Sequence, residues 1–237
     1  MKKKIKIAHL YYDIMNLYGE NGNILALEKF ITKQGVDVQT DNLSIGDKLN
    51  FEEYDLYYLG AGSEENELFV LDDLMKYKKE IVEAVENGKI FLVTGNAMEL
   101  FGSKIVVPGH DDIPGLALFN YDAVYKSGRQ VGEITYEFEE LEVFKGRHII
   151  GFRNTNSNIV NNNGVRPFGF QDNARLNNFF TMNFVGPLLI RNPYFTDYLL
   201  KILFDHLKLE YKEDDSGREY DAYREYVKNF MESCNLD

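Results

Sequence analysis

Three segments of this chain carry residue types that can do chemistry at the end of a strand. Tyr12 to Asn23 closes on Glu20-Asn21-Gly22-Asn23, Gly60-Ala61-Gly62 leads into Ser63-Glu64-Glu65, and Thr94-Gly95-Asn96 follows the apolar run Phe91-Leu92-Val93. Glycine at such points permits positive φ and close backbone approach. A strand that turns sharply into a helix through Thr94-Gly95-Asn96 has the geometry of a nucleophile elbow. The helix N-terminus behind it, with free amides, favours an anion or an oxyanion. The same glycines also serve simply to turn the chain, so spacing alone fixes the place of a site and not its reaction. Gly60-Ala61-Gly62 lacks the third glycine of a dinucleotide fingerprint, and no Walker-type lysine follows it.

Other candidates have plainer readings. His110-Asp111-Asp112 holds metal-ligand types but lies between Pro108-Gly109 and Pro114-Gly115, as a surface turn does. No metal site is expected. His9, His148 and His206 are far apart and read as core or surface histidines. Asn154, Asn156, Asn158 and Asn161 to Asn163 suit either a polar pocket or turns. Glu64, Glu65 and Glu99 are carboxylates near the glycine segments, and paired carboxylates can do acid–base work. Nothing in the sequence sets their separation. Arg153 and Arg175 suit either a substrate carboxylate or the acidic surface.

These residues need a sheet to hold them. Ile5–Tyr11, Val36–Leu43, Tyr54–Leu59 and Lys89–Val93 read as strands, with helices over Ile24–Gln34 and Asn66–Asn87 and a short one running to Gly102. Gly88 stops the second helix as a C′ residue. Alternating strands and helices with apolar runs such as Phe91-Leu92-Val93 predict a parallel sheet covered on both faces. In such a sheet ligands bind beyond the carboxyl ends of the strands, where all three segments arrive. After Gly102 the pattern changes. Tyr121–Tyr125, Val131–Val143 and His148–Phe152 read as antiparallel strands. Asn154–Gly164 reads as a loop, Phe179–Val185 as a strand and Pro193–Leu207 as a helix. The expected organisation is one domain over residues 1–207 and an appendage over 208–237. The appendage is an acidic linker and an amphipathic helix with Tyr220, Tyr223, Val227, Phe230, Met231 and Cys234 on one face.

Of 237 residues, 17 are Phe and 16 Tyr, ample for a packed core. The net charge of −12 argues against nucleic acid and anionic membrane as partners. No apolar run approaches a membrane span, and the start MKKKIKIAHLYY reads as a buried strand behind lysines rather than a signal peptide. A single cysteine, Cys234, excludes an internal disulfide and points to a reducing compartment, hence the cytoplasm.

Several blocks resemble one family in order and spacing. Tyr12 to Asn23 (YDIMNLYGENGN) is similar to "DLMNLYGDRGN", and Leu59 to Glu64 (LGAGSE) to "IGGGQD". Gly115-Leu116-Ala117-Leu118 is similar to "GLGLL", and Ile150 to Asn154 to "VGFEN". Asn173-Ala174-Arg175 through Val185-Gly186-Pro187-Leu188-Leu189 resembles "GARYGNVFGTYLHGPLL" without a gap. These are blocks of class I glutamine amidotransferases of the cobyric-acid-synthase type, in particular the glutaminase subunit of lipid II isoglutaminyl synthase. The likeness spans residues 5–205. It implies a flavodoxin-like α/β fold with a central, mostly parallel sheet, antiparallel additions and an extra C-terminal helix. By the same likeness Gly60, Ala61, Gly62, Asn96 and Arg175 are the expected binding residues, and no cofactor is implied.

The departures bear on function. The family's nucleophile is the cysteine of "ICGGYQLLG". Here the block is Val93-Thr94-Gly95-Asn96-Ala97-Met98-Glu99-Leu100-Phe101-Gly102, which puts Gly95 at that position if aligned on Gly102, or Thr94 if aligned on the strand end. The base histidine of "YLHGP" corresponds to Val185. Amide hydrolysis by this route needs thiolate character and a base within hydrogen-bond reach. A Thr94 hydroxyl without a base is inert. The reading is a chain inactive as a glutaminase that acts as a non-catalytic or regulatory partner of a Mur-ligase-like ATP-dependent synthetase. One alternative is a module that binds glutamine or another amino acid without reaction. Another is an active amidotransferase in peptidoglycan-precursor or cobalamin-type synthesis.

Overall fold

A computed structural model describes residues 4–137, 144–162, 167–168 and 170–234 of the chain. The first half alternates as expected: β1 (Lys4–Leu10), α1 (Asn21–Lys33), β2 (Asp37–Leu43), β3 (Leu56–Leu59), α2 (Glu64–Leu74), α3 (Lys78–Glu86) and β4 (Ile90–Thr94). β3 and β4 are buried along their whole length, which their unbroken apolar runs require. The single helix expected over Asn66–Asn87 is two, parted by a 3₁₀ turn at Met75–Tyr77. The break brings Tyr77 onto the Phe51 ring. A 3₁₀ helix, Gly95–Phe101, follows β4 directly.

The remainder comprises β5 (Lys104–Val106), β6 (Ile113–Pro114), β7 (Tyr121–Glu137), β8 (His148–Asn161), β9 (Pro167–Phe168), β10 (Phe170–Leu176), β11 (Phe179–Met182), α4 (Leu188–Arg191), α5 (Pro193–His206) and α6 (Arg218–Cys234). The main sheet runs β2-β1-β3-β4-β11-β10-β9. Its first five strands are parallel, and β10 and β9 add antiparallel at the edge. This is the flavodoxin-like doubly wound order. A second sheet, β6-β5-β7-β8, stands beside it.

Three expectations are corrected here. The strands expected at Tyr121–Tyr125 and Val131–Val143 are one strand through Glu137, with a register shift between Tyr125 and Gln130. Residues 138–143 lie outside the described residues. The loop expected from Asn154 is strand β8 as far as Asn161, paired along β7. Thr155 and Ser157 turn inward there, Asn154, Asn156 and Asn158 alternate with them half-buried, and Asn161 is exposed. Gly164 and Asn163 lie outside the described residues. The strand expected over Phe179–Val185 stops at Met182, which frees residues 183–187 to cross the end of the sheet.

Hydrophobic clusters fill both faces of the main sheet. One joins Tyr57, Phe91, Phe101 and Phe179 to α2, α3 and the second sheet. The other joins Ile7, Tyr58, Phe180 and Phe184 to α1, α4 and α5. α6 closes that second face, with Tyr220 and Tyr223 buried. The Tyr220 ring meets Phe30 of α1. Buried Asp197 accepts hydrogen bonds from the Tyr220 and Tyr211 hydroxyls at 2.7 and 2.5 Å. Deleting residues 212–234 uncovers these groups and is expected to cost about 3 kcal/mol or more, readable as a lower urea midpoint. Among the described residues no helix is long and apolar enough to cross a membrane.

Candidate functional site

Four loops meet at the carboxyl end of the parallel strands: 11–20, 60–63, 94–96 and 183–187. β4 ends with Thr94 extended, and Gly95 follows at φ +63°. That left-handed turn carries the chain straight into the 3₁₀ helix. A Cβ placed on Gly95 would stand 2.6 Å from the Ala61 Cβ and 3.0 Å from the Val185 Cγ1. The two positions singled out in the sequence, 95 and 185, are therefore neighbours in space. Between them, where a side chain would project, lies apolar contact with Ala61.

Thr94 turns the other way. Its hydroxyl donates to Glu20 Oε2 at 3.1 Å and lies 2.9 Å from the Tyr58 hydroxyl. Tyr58 donates to the same Glu20 oxygen at 2.8 Å, and the Gly186 amide donates to Glu20 Oε1 at 2.7 Å. Asn23 completes the network. Its Nδ2 donates to Tyr58 Oη at 2.7 Å and to the Gly186 carbonyl at 3.0 Å, and its Oδ1 accepts from the Leu189 amide at 2.9 Å. One carboxylate thus ties the start of α1 to β3, β4 and the 183–187 loop. Gly60 makes room for it, since a Cβ there would meet Glu20 Cβ at 2.6 Å.

Glu20, named in the first segment of the sequence but given no role there, stands where a base for Thr94 would be. Burial pushes its carboxyl up to about 7, against the hydrogen bonds from Gly186, Tyr58, Thr94 and Ala61 that favour the charged form. Such a value suits a general base. Glu20, Tyr58 and Thr94 are, however, each wholly buried. A substrate carbonyl has no path to the Thr94 hydroxyl in this arrangement, and the network acts as a structural clasp.

The glycine loop is also satisfied from within. The Gly62 amide donates to Asn96 Oδ1 at 3.1 Å, and Asn96 Nδ2 donates to Glu67 Oε2 at 2.9 Å. Ala61 accepts from the Leu17 amide through its carbonyl. Ser63 caps α2 by accepting from the Asn66 amide. Of the expected binding residues, Gly60, Ala61, Gly62 and Asn96 are brought together, but the amide best placed to receive an anion is already taken by Asn96.

Arg175 is placed differently. It lies on β10, donates to the Asn177 carbonyl and to Tyr198 of α5, and stacks over the Phe180 ring. These contacts belong to the β10–β11 hairpin and the α5 face, not to the Gly95 loops, because β10 runs antiparallel at the sheet's edge. Arg153 pairs with Asp172, and Glu64 with Arg129. Glu65 is exposed, whereas Glu99 is buried and accepts from Ser157 Oγ at 2.6 Å. Asn154 Nδ2 donates to Tyr18 Oη. His110, Asp111 and Asp112 form an exposed turn, with Asp112 paired to Lys104. His9 is buried beside the Tyr58 ring, and that burial pushes it down to about 4. Among the described residues no group of three His, Cys, Asp or Glu side chains is arranged to hold a metal.

Comparison with known proteins agrees with this architecture. Residues 6–183 match the model of the CobB/CobQ-like glutamine amidotransferase domain. The lipid II isoglutaminyl synthase (glutamine-hydrolyzing) subunit GatD of Staphylococcus aureus (strain N315) is 26% identical over 231 residues, covering 92% of this chain and 93% of its own. The GatD subunit of Streptococcus pneumoniae (strain ATCC BAA-255 / R6) is 27% identical over 224 residues, covering 89% and 84%. Among solved structures, a glutamine amidotransferase superposes with a TM-score of 0.54 at 15% identity, over 83% of this chain and 98% of that one. Another, from Thermotoga maritima, gives 0.51 at 14% identity over 97% of both. The sheet order and the extent of the family match lead to one conclusion: the chain belongs to the CobB/CobQ-like glutamine amidotransferase family and has its flavodoxin-like class I fold.

Proposed function

We propose that this chain is a family member without glutaminase activity that serves as a non-catalytic partner of a Mur-ligase-like, ATP-dependent synthetase. The observation that carries the first half is the filled elbow. On the alignment through Gly102, Gly95 takes the family nucleophile's position and Val185 that of its base, and a side chain at Gly95 would run into Ala61 and Val185. Valine moves no proton, and glycine offers no nucleophile. The only hydroxyl at the turn, Thr94, is held in the buried Glu20 network. The Asn96 side chain on the Gly62 amide also weighs against a pocket that holds glutamine unreacted.

The second half rests on the curated relatives, both named as subunits of a synthase and matched over most of this chain. A shell kept at that length around a changed centre supports retention of a binding surface rather than of a reaction. The test has two arms. Purified protein, with or without its co-purifying partner, should release no glutamate from glutamine. Native affinity purification with mass spectrometry should return a Mur-ligase-like ATPase in stoichiometric amount. Steady glutamate release that Thr94→Val removes would overturn the first half, and a chain recovered alone would overturn the second.

A further inference from the structure

Two carboxyl groups behind the elbow have no role in the reading above. Glu67 of α2 and Glu99 of the 3₁₀ helix are 1% and 2% exposed. Each has one satisfied oxygen: Glu67 Oε2 accepts from Asn96, and Glu99 Oε1 from Ser157. The other oxygen of each, Glu67 Oε1 and Glu99 Oε2, is buried without a hydrogen-bond partner. The Tyr125 hydroxyl of β7 lies beside both carboxyls and has one proton to give. Two full negative charges at such burial, with two orphaned acceptors, are too costly to persist unbalanced.

The surrounding groups do not supply the balance. Glu64, in the first turn of α2, adds negative charge toward both carboxyls. Arg129 of β7 favours the charged form of Glu99, but it is half-exposed and paired with Glu64. Tyr121 of β7 is buried and neutral, its ionisation opposed by burial first and by Glu99 besides. The single Tyr125 hydroxyl proton cannot serve both buried oxygens, and what balances the pair is a further proton.

We propose that Glu67 and Glu99 share one proton as a carboxylic acid–carboxylate pair, and that this proton latches the Gly62–Asn96 contact of the loop beside the elbow. The linkage is a chain of bonds already described. While the pair holds its proton, Glu67 stays inward and accepts from Asn96 Nδ2, and Asn96 Oδ1 stays on the Gly62 amide. When the proton leaves, two buried carboxylates repel, Glu67 is drawn toward water, and Asn96 loses the acceptor that orients it. The Gly62 amide is then released. The inference does not depend on whether the chain hydrolyses glutamine.

The sign of the pH effect follows. Burial raises both carboxyls above their ordinary range, Glu99 to about 7, and the charge of Glu99 adds to the rise at Glu67. A carboxyl raised in the folded state binds more protons than in the unfolded chain between its ordinary value and its raised one. Its stabilisation is therefore present at low pH and is lost as pH rises through the folded value.

Glu67→Gln reproduces the protonated member: its oxygen accepts from Asn96 and its amide donates to Glu99. Glu99→Gln does the same from the other side, with its oxygen on Ser157. Each variant should match wild type at about pH 5.5 and melt roughly 3–6 °C higher at about pH 8.5. Because Glu20 titrates in the same range, the diagnostic quantity is the difference from wild type and not the wild-type slope. Hydrogen exchange at the Gly62 amide, corrected for its intrinsic pH dependence, should accelerate in wild type above neutrality and stay flat in both variants. Variants destabilised equally at both pH values would overturn the shared proton. So would a melting temperature that rises in ammonium or potassium chloride over N-methylglucamine chloride and loses that rise in Glu99→Gln, since a bound monovalent cation would then be the balancing charge.

Discussion

Gly95→Cys is expected to melt roughly 5–15 °C below wild type and to release no glutamate, even with Val185→His beside it. The Cβ alone would sit 2.6 Å from the Ala61 methyl and 3.0 Å from Val185, at φ +63°. Overpacking of this kind costs about 1–3 kcal/mol, and a non-glycine residue in the left-handed region adds about 1 kcal/mol. For a chain of this length each kcal/mol moves the melting temperature by about 2–4 °C. The remedy lies across the gap. The family block similar to Gly60-Ala61-Gly62 has glycine in the middle, where this chain has Ala61. On the alignment that puts the family's cysteine at Gly95, a cysteine and a glycine there correspond to glycine and alanine here, an exchange of volume across one contact. Ala61→Gly should therefore recover most of the loss in the Gly95→Cys background. In wild type it should lower stability, by opening a small void. Calorimetry on the four-member cycle reads this coupling directly. Additive effects would show that the two positions do not compete for the same space.

Glu20→Ala should lose about 3–5 kcal/mol of stability, measured by urea denaturation. It leaves the Gly186 amide buried without an acceptor, removes the shared partner of Tyr58 and Thr94, and opens space against Gly60. Glu20→Gln keeps the shape, and its oxygen can take the Gly186 amide. The Tyr58 and Thr94 hydroxyls can turn to accept from its amide group. Its cost should be about 1 kcal/mol at pH 5. It should diminish as pH rises through about 7, because the wild-type carboxyl, raised by burial, loses its stabilisation over that interval. A Glu20→Ala protein as stable as Glu20→Gln would show that the network carries little of the fold.

Much of this was legible in the letters. The parallel half was, because strands buried on both faces must be apolar throughout, as Leu56-Tyr57-Tyr58-Leu59 and Ile90-Phe91-Leu92-Val93 are. The elbow was legible as a glycine turn between strand and helix. What local pattern does not hold is partnership. Asn154 to Asn161 reads as loop because asparagine favours turns, yet β7 supplies a long ladder that overrides the preference. Glu20 reads as a polar residue before a helix, and its burial follows only from the missing side chain at Gly60, forty residues on. Glu67 reads as one of several helix-surface acids beside Glu64 and Glu65. Only the fold shows that it faces inward while Leu68 and Phe69 of the same turn face out. Arg175 reads as a substrate clamp from its block, but an antiparallel edge strand sends it to Tyr198.

The docking of α6 also bears on how the molecule is made. Its Tyr220 lies on Phe30, Glu219 pairs with Lys29 at 2.9 Å, and the linker before it binds Lys33 and Gln34. α1 is thus roofed by a helix made long after it, α6. β11 likewise inserts beside β4 only after some eighty-five intervening residues have been added. During synthesis the outer face of α1 stays uncovered until α6 has left the ribosome, and the central sheet lacks its fifth parallel strand for much of that time. A ribosome-bound chain stalled at residue 207 would present that bare face to chaperones.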